Sequence, residues 1–334
     1  MSLEILDRGL NMSLSSIQLR SLFTTALIIS LNYVIVCSAE HFPSGNATIR
    51  AMAGNSEIVI QTTERLAGAI HSLTWNGREF IDSADHGRQL QSASNFDAGH
   101  PLTAETFNPT EAGSRKDGAG PKSTSRLLHL IADGNKLQTT NQMAFWLSPN
   151  EKSEGNPAKN TVELSNHLVT KRVQIGHRNL QHVVRYDVSF SLPVGERHRH
   201  AVFEAVTGYM PAEFEVFSKY DTTKDSIEPL DDGPGEQSFP VILSNKAGTH
   251  AMGIYSPDQP SPGYESAGYG RFRFSAEKVV KWNCVFRIDG KRDGINPDEY
   301  SFRNFVVVGD LSTVKESIRE LHHEFASQND SVRK

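Results

Sequence analysis

The stretch Val184–Leu192, VRYDVSFSL, decides the fold: Val184, Tyr186, Val188, Phe190 and Leu192 alternate with Arg185, Asp187, Ser189 and Ser191. An apolar period of two with a polar complement is a strand with one face on a core and the other in water. The pattern returns near the C-terminus, where Val280, Trp282, Cys284, Phe286 and Ile288 alternate with Lys281, Asn283, Arg287 and Asp289. Cys284 therefore reads as a buried, inert thiol.

Outward from these two strands the chain reads as β almost throughout. NATIRAMA and SEIVIQT (46–53 and 56–62) flank the turn Gly54-Asn55, and AIHSLTWNGREFID (69–82) carries Asn76-Gly77 between apolar segments. Both turn residues tolerate the positive φ of a type I′ hairpin. SRLLHLIA, LQTTNQMAFWL, HAVFEAVTG and NFVVVGD continue the strands, and 150–160 is a solvated turn. Thr313 and Glu316 fit a capping box, and Val314, Ile318, Leu321 and Phe325 recur at helical spacing, which predicts one terminal helix over 312–326. Crossover helices and fixed-period repeats are missing. A large antiparallel two-sheet sandwich therefore fits better than a doubly wound α/β fold or a propeller, and the expectation is an all-β sandwich of that kind with one C-terminal helix.

At the N-terminus the uncharged run Leu22–Val36 follows Arg20 and precedes Cys37, Ser38 and Ala39. That is the layout of a secretory signal over residues 1–39, cleaved after Ala39, with Met12 a more natural start than Met1. Residues 40–334 are then a single sandwich domain, secreted or periplasmic. It has one cysteine, Cys284, and so no internal disulfide. The net charge of −5 gives no reason to expect nucleic acid, and no later segment is long and apolar enough for a membrane span. Asn46 and Asn329 lie in glycosylation sequons.

The chemistry concentrates in Asp85–Ser114, DHGRQLQSASNFDAGHPLTAETFNPTEAGS, which reads as a long polar loop after the Asn-Gly hairpin. A long non-repetitive loop inside a compact domain is usually either functional or disordered, and charged groups mixed with Phe96, Leu102 and Phe107 argue for function. A sugar site needs donors and acceptors for hydroxyls, a cation for any carboxylate, and an acid or base at the reacting carbon. Here His86 and Glu111 are the candidate proton carriers, and Arg88, Gln89, Gln91, His100 and Asn108 the candidate sugar contacts. Further on, Glu204 sits among apolar neighbours with Tyr209 nearby, which suits a general acid. Glu204 and Tyr209 complete the catalytic set, and Glu213 joins the binding set. Alternation in HAVFEAVTG places Ala201, Phe203, Ala205 and Thr207 on one face and Val202, Glu204 and Val206 on the other. His198 and His200 could share a strand face and a metal, but Arg197 and Arg199 disfavour a cation there, so neither metal nor cofactor is expected. A serine-hydrolase elbow and a phosphate loop are both absent.

The early hairpin AIHSLTWNGREFID followed by DHGRQLQ, with acids further on in an exported antiparallel chain, resembles the galactose-mutarotase-like supersandwich group. That group holds aldose epimerases and the sandwich domains of many glycoside hydrolases and polysaccharide lyases. The resemblance implies the fold and a carbohydrate substrate. The combined expectation is a secreted carbohydrate-active enzyme cleaving a poly- or oligosaccharide by acid–base chemistry, hydrolase slightly ahead of lyase on acid content. A non-catalytic carbohydrate-binding module and an aldose epimerase are the alternatives.

Overall fold

The structure, a computed structural model, describes residues 43–290 and 294–332, the side chains from 327 onward excepted. The leader expected over 1–39 lies outside the described residues. Two runs of antiparallel strands build the molecule. The first reads, edge to edge, Arg126–Asp133, Lys136–Phe145, Leu164–His177, Leu180–Ser191, Glu299–Gly309, Ala251–Tyr255, Val241–Ser244, Val216–Asp221 and Ser226–Pro229. The second reads Ala47–Ala53, Ser56–Thr62, Ile70–Trp75, Leu90–Phe96, His200–Pro211, Val279–Asp289, Tyr269–Phe274 and Gly235–Gln237. The short strand Pro109–Thr110 pairs with both and makes one ladder of 19 strands. The inward rows of the two runs meet in the main core: Phe190 packs on Phe203 with ring centroids 5.0 Å apart, and Phe286 on Phe302 at 4.2 Å. This is the all-β two-sheet sandwich that alternation predicts.

The Asn76-Gly77 hairpin forms, with φ of 50° and 71° at the two turn residues. Its second strand is only Arg78–Glu79, because the Glu79 carboxylate accepts hydrogen bonds from the amides of Leu73, Phe80 and Ile81 and ends the ladder. The terminal helix spans Leu311–Val332 and lays Val314, Ile318 and Leu321 on Val183, Phe305 and Val307, so it covers the outer face of the first sheet. Each fully buried aliphatic side chain there contributes about 1.5–3 kcal/mol. Its cap differs from expectation: Asp310, not Thr313, supplies the side-chain oxygen, accepting from the Thr313 amide at 2.7 Å. Among the described residues no helix is long and apolar enough to cross a membrane.

Two further differences from the sequence reading shape the site. Asp85–Ser114 is not one loop, because Leu90–Phe96 is an interior strand paired to His200–Pro211. Ser92 is buried there because it finds partners: its hydroxyl contacts the Tyr186 hydroxyl at 2.9 Å and the Ala205 carbonyl at 2.8 Å. The strand His200–Pro211 carries a bulge between Glu204 and Val206. Ala205 and Val206 both turn into the core, so Thr207 changes face. A bulge is the device by which a strand re-aims its later side chains.

Candidate functional site

Five residues apart on a regular strand, Glu204 and Tyr209 would point to opposite faces; the bulge brings both, with Thr207, to the outer face of the second sheet. The neighbouring strand pairs Tyr209 with Lys281, Thr207 with Asn283, Glu204 with Val285 and Val202 with Arg287. The result is a row of polar side chains along two central strands, on the sheet that the helix leaves uncovered.

At its centre Glu204 Oε2 accepts hydrogen bonds from the Thr207 hydroxyl at 2.7 Å and the Lys281 ammonium at 3.2 Å. Burial by itself would raise the Glu204 pKa, but the charge of Lys281 and hydrogen bonds from Thr207, Lys281 and Asn283 outweigh it and hold the carboxyl below its usual range. Lys281 is pushed the other way: burial opposes its charge, and Glu204 and Tyr209 more than restore it. The ammonium also lies 5.1 Å from the centroids of both the Tyr209 and Phe272 rings, a cation–π pair on each. Burial keeps the Tyr209 phenol protonated against the pull of Lys281. Glu204 is 32% exposed and Lys281 11%, so the pair is desolvated yet reachable.

Beyond this centre the row runs on in both directions. Toward one end Arg287 pairs with Glu236 at 2.6 Å and lies against the Tyr264 ring. Toward the other, Arg88 is clamped by Asp85 at 2.8 Å and Asp82 at 3.6 Å. The Asp82 amide donates to the Tyr209 carbonyl at 2.9 Å and the Tyr209 amide to the Gln89 carbonyl at 3.2 Å, so the Asp85 end of the chemistry-rich stretch adjoins the row. The arrangement offers a base, an acid, a fixed cation and aromatic faces on one surface. An aromatic face and a convergent set of donors is what a sugar ring recognises.

The remaining expected site residues lie elsewhere. His86 is buried, its ring nitrogens 2.7 Å from the Gly118 carbonyl and 2.9 Å from the Arg65 carbonyl, so it ties two backbone segments together. Glu111 is fully buried between the sheets, ion-paired to Lys171, and accepts from the Ser92 amide at 3.0 Å. Gln89 donates to the Asp85 carbonyl and Asn108 to the Ser94 carbonyl. Gln91 donates to the Gly87 carbonyl at 2.9 Å, and its buried carbonyl oxygen lacks a partner. Glu213 is exposed and pairs with Arg78. His100 lines a cavity at the far end of the His200 strand. His198 and His200 do not converge: His200 faces Asp289 at 3.7 Å, and His198 lies before the strand and turns inward.

Lys281, Asn283, Arg287 and Thr207 are the members that sequence reasoning left out. The signal for Lys281, Asn283 and Arg287 was the wet half of an alternating strand, whereas Thr207 reaches this face only through the bulge. Which strand stands beside it is a property of pairing and not of spacing.

No protein-family model matches the chain, and no curated protein matches it. Solved structures similar to it include the α-galactosidase from Lactobacillus brevis, at 8% identity and a TM-score of 0.43, covering 81% of this chain and 40% of that one. The heparan sulfate lyase HepC from Pedobacter heparinus, as a mutant, is 11% identical with a TM-score of 0.40, covering 80% of this chain and 35% of that one. A candidate aldose 1-epimerase from Klebsiella pneumoniae subsp. pneumoniae is 10% identical with a TM-score of 0.39, covering 84% and 91%. The chain thus spans well under half the length of the first two. The roles of its residues are argued from the site itself.

Proposed function

We propose that the chain is an exported carbohydrate-active enzyme that cleaves a poly- or oligosaccharide lying along the uncovered face of the second sheet. Glu204 acts as the base, Tyr209 as the proton donor to the leaving oxygen, and Lys281 as the anchor for a sugar carboxylate. The observation that carries the reading is the Lys281 ammonium standing 3.2 Å from the Glu204 carboxylate and 5.1 Å from the centre of the Tyr209 ring, a cation beside a candidate base and a candidate acid.

This centre favours elimination from a uronate over hydrolysis. Hydrolysis by the common route uses two carboxyls across the bond. Among the described residues of the row, the flanking acids Asp85 and Glu236 are each ion-paired to an arginine, and the group beside Glu204 is a lysine, which suits a sugar carboxylate better than a second carboxyl would. In elimination Glu204 takes the C5 proton, Lys281 stabilises the charge that develops on the carboxylate, and Tyr209 protonates the departing O4. Incubation of the protein with neutral and uronate-bearing polysaccharides tests it. Ultraviolet absorbance of an unsaturated uronate, lost in Glu204→Gln, is the expected result. Reducing ends without that absorbance would instead make the protein a hydrolase with Glu204 activating water. No product from any polymer would refute catalysis and leave a binding surface.

A further inference from the structure

Away from that row, three side chains from three segments converge beneath the cavity that His100 lines. His167 comes from the Leu164–His177 strand, Glu196 from the turn after Leu192, and His198 from a segment held by its bridge to Ile295. Glu196 Oε2 lies 2.7 Å from His167 Nε2 and 3.0 Å from His198 Nε2, and one ligand atom from each residue falls within 4.8 Å of the others. The side chains of His167 and His198 are only 2% and 3% exposed. Phe96 stacks on the His198 ring at 4.5 Å and packs on His167 at 5.0 Å, and Phe107 closes on His198 at 5.6 Å.

A second observation concerns the far side of His198. Its Nδ1 is buried without a hydrogen-bond partner, yet the Asp97 carboxylate stands 3.6 Å away, its oxygens accepting from the Arg199 amide at 3.1 and 3.2 Å. With a metal on Nε2, the ring nitrogen left over is Nδ1, whose N–H would point at the Asp97 carboxylate. Carboxylate behind histidine behind metal is the usual way a ligating imidazole is oriented.

We propose that His167, Glu196 and His198 form a binding site for a divalent transition metal, zinc first, with Asp97 as the positioning residue behind His198. Two imidazoles and one carboxylate are a borderline donor set that suits zinc better than calcium or magnesium, and three protein ligands leave a fourth position open. That position faces the cavity of about 860 Å³ lined by Asp97, His100, Glu196, Arg197, His198 and Arg199. Glu196 and Asp97 supply two negative charges at the cluster and offset the neighbouring arginines. The site is independent of the Glu204 row.

The test strips the purified protein with a chelator and titrates it with zinc or cobalt(II) by calorimetry and visible absorption. The expected result is one equivalent bound, visible bands of low-coordinate cobalt, and a melting temperature that rises with metal. His200→Gln, on the exposed neighbour, keeps all three. Glu196→Gln, on a partly exposed turn, folds and loses the cobalt bands, which guards against His167→Gln or His198→Gln failing to fold. Asp97→Asn keeps the stoichiometry but weakens affinity about 10- to 100-fold. Absence of stoichiometric binding overturns the proposal. So does binding that survives Glu196→Gln unchanged, or a melting temperature indifferent to metal.

Discussion

Lys281 Nζ lies 3.2 Å from Glu204 Oε2 and 5.1 Å from the centre of the Tyr209 ring, so one cation touches both groups proposed to move protons. The contact joins residues 77 positions apart and exists because a bulge turns Thr207 and Tyr209 onto the face of Glu204.

Removing each member should have a distinct kinetic effect. Glu204→Gln and Tyr209→Phe are expected to lower kcat about 10²- to 10⁴-fold, the usual contribution of a positioned base or acid. Lys281→Met is expected to remove the preference for acidic over neutral polymers and to lower kcat as well as raise KM, because the charge that develops on the carboxylate loses its cation. Steady-state assays at unchanged melting temperature check all three, and full activity in Glu204→Gln would eliminate it as the base.

Acid should loosen the same cluster. The Glu204 pKa is lowered from an ordinary 4.5 by Lys281 and its hydrogen-bond donors, against the effect of burial. A carboxyl lowered on folding contributes stability above its unfolded pKa and loses it as pH falls through the folded value. Melting temperature measured from neutral pH downward should therefore decline below about pH 4.5, and Glu204→Gln should lack that component.

Between the sheets, the Lys171–Glu111 pair should behave as a buried salt bridge. Lys171→Met or Glu111→Gln alone leaves one charge unpaired in the core and is expected to cost about 3–5 kcal/mol, whereas replacing both with apolar side chains of similar volume should cost much less. Denaturant unfolding of the two single variants and the double variant gives the comparison.

Gly208 lies against the Trp282 indole, where an added Cβ would come within 2.4 Å of the ring. Gly208→Ala is expected to destabilise by about 1–3 kcal/mol through overpacking. Cys284, two residues along from Trp282, is fully buried with its thiol pKa pushed up by desolvation, so it should resist alkylation until the protein unfolds. Thermal melts and timed labelling with an iodoacetamide reagent read these two outcomes.

Sequence reasoning failed where polar residues are interior. The stretch LQSASNF looks solvated by composition, yet Ser92, Ser94 and Gln91 are buried in a central strand. Composition reports the cost of burying a hydroxyl or amide in isolation, and that cost vanishes when the Tyr186 hydroxyl and the Ala205 carbonyl stand opposite Ser92. Glu111 misleads similarly. A glutamate in a glycine- and proline-rich segment reads as surface chemistry, but its partner Lys171 lies 60 residues on in another strand.

The amino-acid order by itself determined that this is an antiparallel all-β sandwich ending in one helix. Periods of two and of 3.6 are imposed by the backbone on neighbouring residues, and Asn76-Gly77 closes its hairpin locally. It also named Glu204 and Tyr209. Only the tertiary structure decided that these two share a face, that Lys281 stands between them, and that His167 meets Glu196 and His198. Those facts depend on which strands pair and where one of them bulges, and long-range pairing is selected by the packing of the whole core.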